Sequence, residues 1–271
     1  MKARSTHSRR ITELDLFRGI AVLLMIFDHF MFDLWGLFPS VFEGYPYRDG
    51  FWRSIYEGAR GYWFWDVREA IRVVVVFVFL ALTGVCCSFS HSNMKRAARL
   101  GVVALLMSAA TFGIGYVIGD LDIGIAFGVL HCIATTLFLV GILEKLHADR
   151  LVYLIIGVLM LSAGIFICRN QPYVSFGSMP FLRIFFETVI GTVESGGDSF
   201  SLFYNGGQIM IGVFLGKWLY SERKPILFKK YHNNLVTFIG RHSLLVYIAH
   251  QIAIPIIFGG IMLLCGFEII F

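Results

Sequence analysis

Charge is what this sequence has least of. Asp, Glu, Lys and Arg make up only 15% of its 271 residues, against about a quarter in an ordinary soluble domain. A water-soluble globule needs a charged surface, and 57% hydrophobic residues with a mean hydropathy of +0.74 leave too little of one. Catalytic signatures of soluble enzymes are missing too. The chain has no G-x-S-x-G, no phosphate-binding P-loop, no Gly-rich dinucleotide fingerprint after a strand, and no H-E-x-x-H, which removes the usual soluble acyltransferase, ATPase and metalloprotease readings. Its five cysteines, Cys86, Cys87, Cys132, Cys168 and Cys265, lie in or beside apolar runs without metal-ligand spacing, so they read as small buried hydrophobes and no metal is expected. Internal repeats and lipidation motifs are absent. The basic stretch Met1 to Arg10 leads into a run interrupted by Arg18, Asp28 and His29, which is too long and too polar for a signal peptide and reads as a retained first span.

What fills the chain is a series of apolar runs of membrane-spanning length, about 20 residues each. They predict an all-α, polytopic transmembrane bundle of about seven spans in a single domain covering residues 1–271. The spans fall near 16–38, 71–90, 99–118, 123–144, 149–168, 199–220 and 242–264. Basic residues flank the runs instead of forming one surface, which argues against nucleic-acid binding despite the net charge of +5. Lys2, Arg4, Arg9, Arg10, Lys95, Arg96, Arg99, Lys145, Arg150, Arg223, Lys224, Lys229, Lys230 and Arg241 fall on one side, and the positive-inside rule makes that side cytoplasmic. Asp120, Asp122, Glu187, Glu194 and Asp198 fall on the other. The N-terminus is then inside and the C-terminus outside. Two outer segments exceed what a connection needs. Residues 39–70 interleave aromatics, Trp63 among them, with Arg and Glu, as an interfacial amphipathic helix does, and residues 169–198 form the second. Either can pack at the interface or act as a lid over a polar substrate. Gly206 and Gly207 suit close helix approach.

Ionisable groups inside spans are costly, on the order of 3 kcal/mol at mid-bilayer, and are usually turned inward and used. The first span carries Arg18, Asp28, His29 and Asp33. Arg18 and His29 lie about 20° apart on one helix face, whereas Asp28 is turned from His29 by about 100°. Rise along the helix puts Arg18 about 5 Å and His29 about 20 Å from the inner end, His131 about 12 Å from the outer surface, and His250 about 12 Å from the inner one. Two levels are therefore expected, Arg18 with His250 and Tyr247 toward the cytoplasm, and His29 with His131 toward the outside. His131 and His250 can equally be packing residues that hydrogen-bond between helices, and Lys217 can snorkel from its span end.

A neutral His can take a proton from a hydroxyl or amine as it attacks an acyl carbon, and a carboxylate can orient it. An Arg at the inner mouth suits the phosphates of a nucleotide-bearing donor. Catalytic candidates are therefore His29 and Asp28, donor-binding candidates Arg18, His250 and Lys217, and substrate contacts His131, Asp33 and Trp63.

Five segments resemble a known family: ELDLFRGIAVLLMIFDHFMFDL, FVFLALTGVCCSFSHSNMKRAARL, FGVLHCIATTLFLVGIL, GVFLGKWL and FIGRHSLLVYIAHQ. The most specific are the D-x-x-R-G opening (Asp15, Arg18, Gly19) and the GRHSLLVYIAHQ close (Gly240 to Gln251). Across nearly its whole length the chain is similar to the heparan-alpha-glucosaminide N-acetyltransferase catalytic-domain family, in its short bacterial branch. That resemblance implies transfer of an acetyl group from cytosolic acetyl-CoA to an amino sugar on the far side of a bacterial cytoplasmic membrane. The wider group of membrane acyltransferases carries a similar Arg and His in its first span, matching Arg18 and His29. Lysosomal members place an important His in the loop after that span, and residues 39–70 contain none. Direct transfer with His29 as general base and Asp28 as orienter is then expected, and a double displacement through His29 stays open.

The expected partners are acyl-CoA, a sugar acceptor and membrane lipids, and self-association into a homo-oligomer is left open. A proton-coupled transporter or flippase using the same His and Asp is the competing reading, against which stands the absence of paired Gly/Pro-broken spans. A non-catalytic membrane subunit is the third.

Overall fold

The computed structural model describes residues 11–222, 224–227 and 234–270. The topology-setting cations Lys2, Arg4, Arg9, Arg10, Arg223, Lys229 and Lys230 lie outside the described residues. The protein is all-α. Among the described residues there is no strand, only the isolated bridges Phe42 to Ile269 and Tyr173 to Glu194. The helices are α1 (Thr12–Phe32), α2 (Phe38–Val41), α3 (Gly50–Trp63), α4 (Asp66–Cys87), α5 (Asn93–Ile118), α6 (Val129–Lys145), α7 (Arg150–Ile167), α8 (Phe181–Ile190), α9 (Leu202–Leu219), α10 (Leu235–Arg241) and α11 (Ser243–Leu264).

Among the described residues, five helical segments are long and apolar enough to cross a membrane: Thr12–Val41, Asp66–Cys87, Asn93–Val117, Arg150–Asn170 and Ser243–Leu264. Two runs expected as spans, now α6 and α9, fall outside that set. α6 has 17 residues, and α9 carries Asn205, Gln208 and Lys217 among its 18. Both turn much of their surface inward, with Thr136, Leu137 and Val140 of α6 and Ile209 and Val213 of α9 fully buried. A helix surrounded by other helices needs no apolar face toward lipid, which is why its composition is less distinctive. By contrast α5 and α7 present wide apolar faces, with Leu105 67% and Leu159 65% exposed. Surfaces of that kind suit hydrocarbon and are disfavoured in water.

The chain forms two compact units, residues 1–79 with 225–271, and residues 80–224. α4 contributes its first turns to one and the rest to the other. In the second unit the main pairings are α7 with α9 and α5 with α6. A Cβ on Gly207 would sit 2.7 Å from the Leu161 nitrogen and 2.8 Å from the Gly157 carbonyl oxygen, so Gly207 does permit the close approach its sequence suggested.

In the first unit α1 continues through a π-helical stretch, Asp33–Leu37, into α2. The loop then returns as α3, the amphipathic helix expected in residues 39–70. Its N-cap is Asp49, whose carboxylate accepts from the backbone N–H of Phe51 and Trp52. α3 buries Trp52 and Ala59 in an aromatic core with Leu34, Phe38, Tyr45 and Phe267.

The N-terminal end of α1 is held by α10. A Cβ on Gly19 would overlap the Val236 carbonyl oxygen, and one on Gly240 would overlap the Asp15 carbonyl oxygen. Bare backbones therefore touch at both positions. The Asp15 carboxylate accepts from Arg241 Nε at 3.1 Å, and fully buried Glu13 accepts from the N–H groups of Ile226 and Leu227 at 2.8 Å each. Replacing Gly240 with Leu puts a side chain where backbone already lies. Its expected cost is about 3 kcal/mol, read as a lower melting temperature of the detergent-solubilised protein. A melting temperature equal to wild type contradicts the packing.

Candidate active site

Two polar constellations belong to the first unit. The first centres on His29. Its Nδ1 lies 2.8 Å from the Met25 carbonyl oxygen, one turn back on α1. A carbonyl has no proton to give, so Nδ1 carries a hydrogen, and in the neutral form of the ring the lone pair is on Nε2. Nε2 of His29 has no hydrogen-bond partner among the described residues. His250 of α11 faces it, ring centroids 5.1 Å apart and planes at 80°. The pattern repeats there, with Nδ1 of His250 3.3 Å from the Val246 carbonyl oxygen and a buried Nε2 that has no partner. Tyr247 packs beside it at 5.7 Å between centroids, and Asp33 lies one turn beyond His29, within electrostatic range.

This pairing corrects the expected levels. His250 was assigned to the level of Arg18, yet it meets His29. The reason is α10, whose Gly240 already reaches Asp15 and Gly19, so α11 starts well up α1. From the Gly19–Gly240 contact, His29 and His250 are each ten residues further on, His29 along α1 and His250 past the turn at His242 and into α11.

The second constellation holds Asp28. Arg68, in the first turn of α4, donates to it in the two-pronged geometry of a guanidinium on a carboxylate, Nε to Oδ1 at 2.8 Å and Nη2 to Oδ2 at 2.7 Å. Tyr62 of α3 donates to the same Oδ1 at 3.0 Å. Burial first, and then the neighbouring carboxylate, push the Tyr62 phenol above its ordinary pKa, which keeps it a hydroxyl donor. The Arg68 guanidinium stacks 3.7 Å from the centre of the Trp63 ring, itself stacked on Trp35 at 5.9 Å and 10°. Asp28 was expected to orient His29, but its hydrogen bonds go to Arg68 and Tyr62, and the Met25 carbonyl holds His29. Consecutive helical residues point about 100° apart, so the two neighbours face different elements. Arg68 is the residue that sequence reasoning passed over. The available signal was an Arg at the start of an otherwise apolar run with an unmatched acid in the span before it.

The remaining candidates are placed as follows. Arg18 is half-buried, one turn beyond Asp15. Trp63 sits under Arg68. His131 and Lys217 belong to the second unit. Nδ1 of His131 accepts from the Gly128 N–H at 3.3 Å, and its Nε2 lies 3.2 Å from Ser108 Oγ, so both ring nitrogens serve local structure at the start of α6. Lys217 Nζ lies 4.8 Å from the centre of the Tyr153 ring. Among the described residues no cluster of three or more His, Cys, Asp or Glu can hold a metal ion.

The first unit of this α-helical membrane protein thus brings two imidazoles side by side. The chain belongs to the family described as heparan-alpha-glucosaminide N-acetyltransferase, catalytic, which matches it over residues 10–252. The family makes it a membrane acyltransferase. No curated protein and no solved structure matches the chain.

Asp28 and Arg68 are 19% and 8% exposed, so deleting one partner strands a largely buried charge. Arg68→Ala is expected to cost about 3 kcal/mol, and Asp28→Leu/Arg68→Leu to recover most of the lost melting temperature. Equal losses in the single and double variants contradict the pairing.

Proposed function

We propose that this protein transfers an acetyl or similar acyl group from cytosolic acyl-CoA to a sugar or amino sugar on the opposite side of a bacterial cytoplasmic membrane, with His29 as general base. The observation that carries the reading is the bare Nε2 of His29, its tautomer set by the Met25 carbonyl, in a chain belonging to an acetyltransferase family. The base takes a proton from the acceptor nucleophile as its lone pair forms a bond to the acyl carbon, the thioester carbon–sulfur bond breaks, and the sulfur leaves with CoA. The proton then passes from His29 to the thiolate.

Arg18, half-buried near the inner end of α1, is the proposed contact for the CoA phosphates. Asp33 and Trp63 are the proposed contacts for the acceptor. Asp28, held by Arg68 and Tyr62, steadies α1 next to His29. In this reading α6 and α9 also cross the membrane, inside the helices that face lipid, giving seven spans with the N-terminus inside and the C-terminus outside. Acidic Asp120 and Asp122 against basic Lys145 and Arg150 support that orientation.

In proteoliposomes supplied with labelled acetyl-CoA, His29→Ala is expected to lower kcat by about 10²- to 10⁴-fold with little change in KM. Wild-type turnover by that variant sinks the assignment. Substrate movement without consumption of acetyl-CoA favours the transporter reading instead. For orientation, a cysteine replacing Asp122 in a cysteine-free background is expected to react with an impermeant maleimide from outside, and one replacing Ala148 only after permeabilisation. The reverse pattern inverts the topology.

A further inference from the structure

We propose that α8 is an interfacial helix whose exposed apolar stripe docks into the acyl chains of the leaflet next to Asp120 and Asp122, so that residues 169–198 form a shelf fixed in the membrane surface and not a lid. The docking requires a membrane around the protein and no step of the acyl transfer.

Both long connecting segments contain a helix, and the two helices turn their apolar sides differently. α3 sends Trp52 and Ala59 into an aromatic core and leaves Arg53, Glu57 and Arg60 exposed. α8 buries only Ile184 and Thr188. Its outward side is Leu182, Phe186 and Ile190, which fall within about 80° of one another and opposite Ile184 and Thr188. Leu182 is 67% and Phe186 58% exposed. Beside that stripe Arg183 Nε donates to Glu187 Oε1 at 2.8 Å, so the flanking charges neutralise each other where apolar surface gives way to polar. An apolar stripe bordered by charge is what a helix lying flat among headgroups presents.

Continuity identifies lipid as the cover. Phe181, in the first turn of α8 and itself exposed, packs edge-on against Phe112 of α5 at 5.7 Å. The exposed side of α5 continues from there through Ile114, Tyr116 and Val117, on a helix long and apolar enough to cross a membrane. Aromatic side chains such as Tyr116 and Phe181 at span ends suit the boundary between hydrocarbon and water. The segment is also tied down. The Phe176 N–H donates to Asp122 Oδ1 at 2.7 Å, Gln171 Nε2 to the Gly191 carbonyl at 2.6 Å, and the Val174 N–H to the Glu194 carbonyl at 2.8 Å. These bonds close the segment on itself and on the turn between α5 and α6, whereas a lid needs freedom to swing.

Nitroxide labels on single cysteines, in a cysteine-free background reconstituted in phosphatidylcholine vesicles, test the docking through collisions with oxygen, which concentrates among acyl chains, and with a water-soluble nickel chelate. Labels on Leu182→Cys, Phe186→Cys and Ile190→Cys are expected to favour oxygen and to lie about 5–10 Å below the headgroup surface, and one on Glu187→Cys to favour nickel. Adding Phe186→Glu should shift the Leu182→Cys label toward nickel, because a carboxylate resists burial in hydrocarbon. If the cysteine-free protein is not monodisperse, benzoylphenylalanine in place of Phe186 in the native chain reports the same contact by crosslinking to lipid under light. Nickel-accessible labels along the stripe overturn the docking in favour of a segment facing water. Labels shielded from both reagents and broadened by a neighbouring label, or crosslinks to a second copy of the chain, overturn it in favour of a protein interface.

Discussion

Gly19 of α1 and Gly240 of α10 let two stretches of main chain meet where any side chain would collide, and the candidate site depends on that contact. It sets the register between α1 and α11. α11 follows α10 after the turn at His242 and brings His250 to His29, ring centroids 5.1 Å apart. Asp15 with Arg241, and Glu13 with the backbone of Ile226 and Leu227, hold the same junction by charge and hydrogen bonding. Close backbone packing supplies dispersion where lipid offers helices little hydrophobic drive to associate, and the polar pairs resist sliding.

Around this helix pair the first unit separates two tasks that adjacent residues of one span were expected to share. His29 is left with a free lone pair because a main-chain carbonyl settles its tautomer. Asp28 is consumed by Arg68 and Tyr62, which tie α1 to α4 and α3. A carboxylate fully engaged by a guanidinium is a poor partner for a catalytic imidazole and a good anchor. Trp63 and Trp35 extend the anchor into an aromatic stack beneath the guanidinium, where an Arg stacks well. The π-helical stretch that begins at Asp33 follows directly, a local irregularity of the kind found near functional sites.

The two specific motifs of the sequence acquire a common meaning from this arrangement. The D-x-x-R-G opening and the GRHSLLVYIAHQ close are far apart in the chain, yet they are the two sides of one interface. Asp15 meets Arg241, Gly19 packs beside Gly240, and His29 faces His250. Each motif makes sense as half of a contact surface that carries the His29–His250 pair at its far end.

Much was legible in the residues themselves. Scarce charge and long apolar runs require a membrane solvent, so the all-α class and most helix positions followed from composition and length, as did the amphipathic helix of residues 39–70 from its interleaved aromatics and charges. Charged and imidazole groups within α1 stand out because hydrocarbon tolerates them poorly, which marked Asp28 and His29 without any structure. Tertiary packing decided the rest. Helical periodicity tells how residues face around one helix, but it carries no information about where a second helix begins against it. Depth was therefore reckoned from the apolar run alone, and the intervening α10 displaced it. The same limit hid Arg68, because a partner 40 residues away is selected by how α4 packs on α1, and only the folded chain brings that guanidinium to that carboxylate.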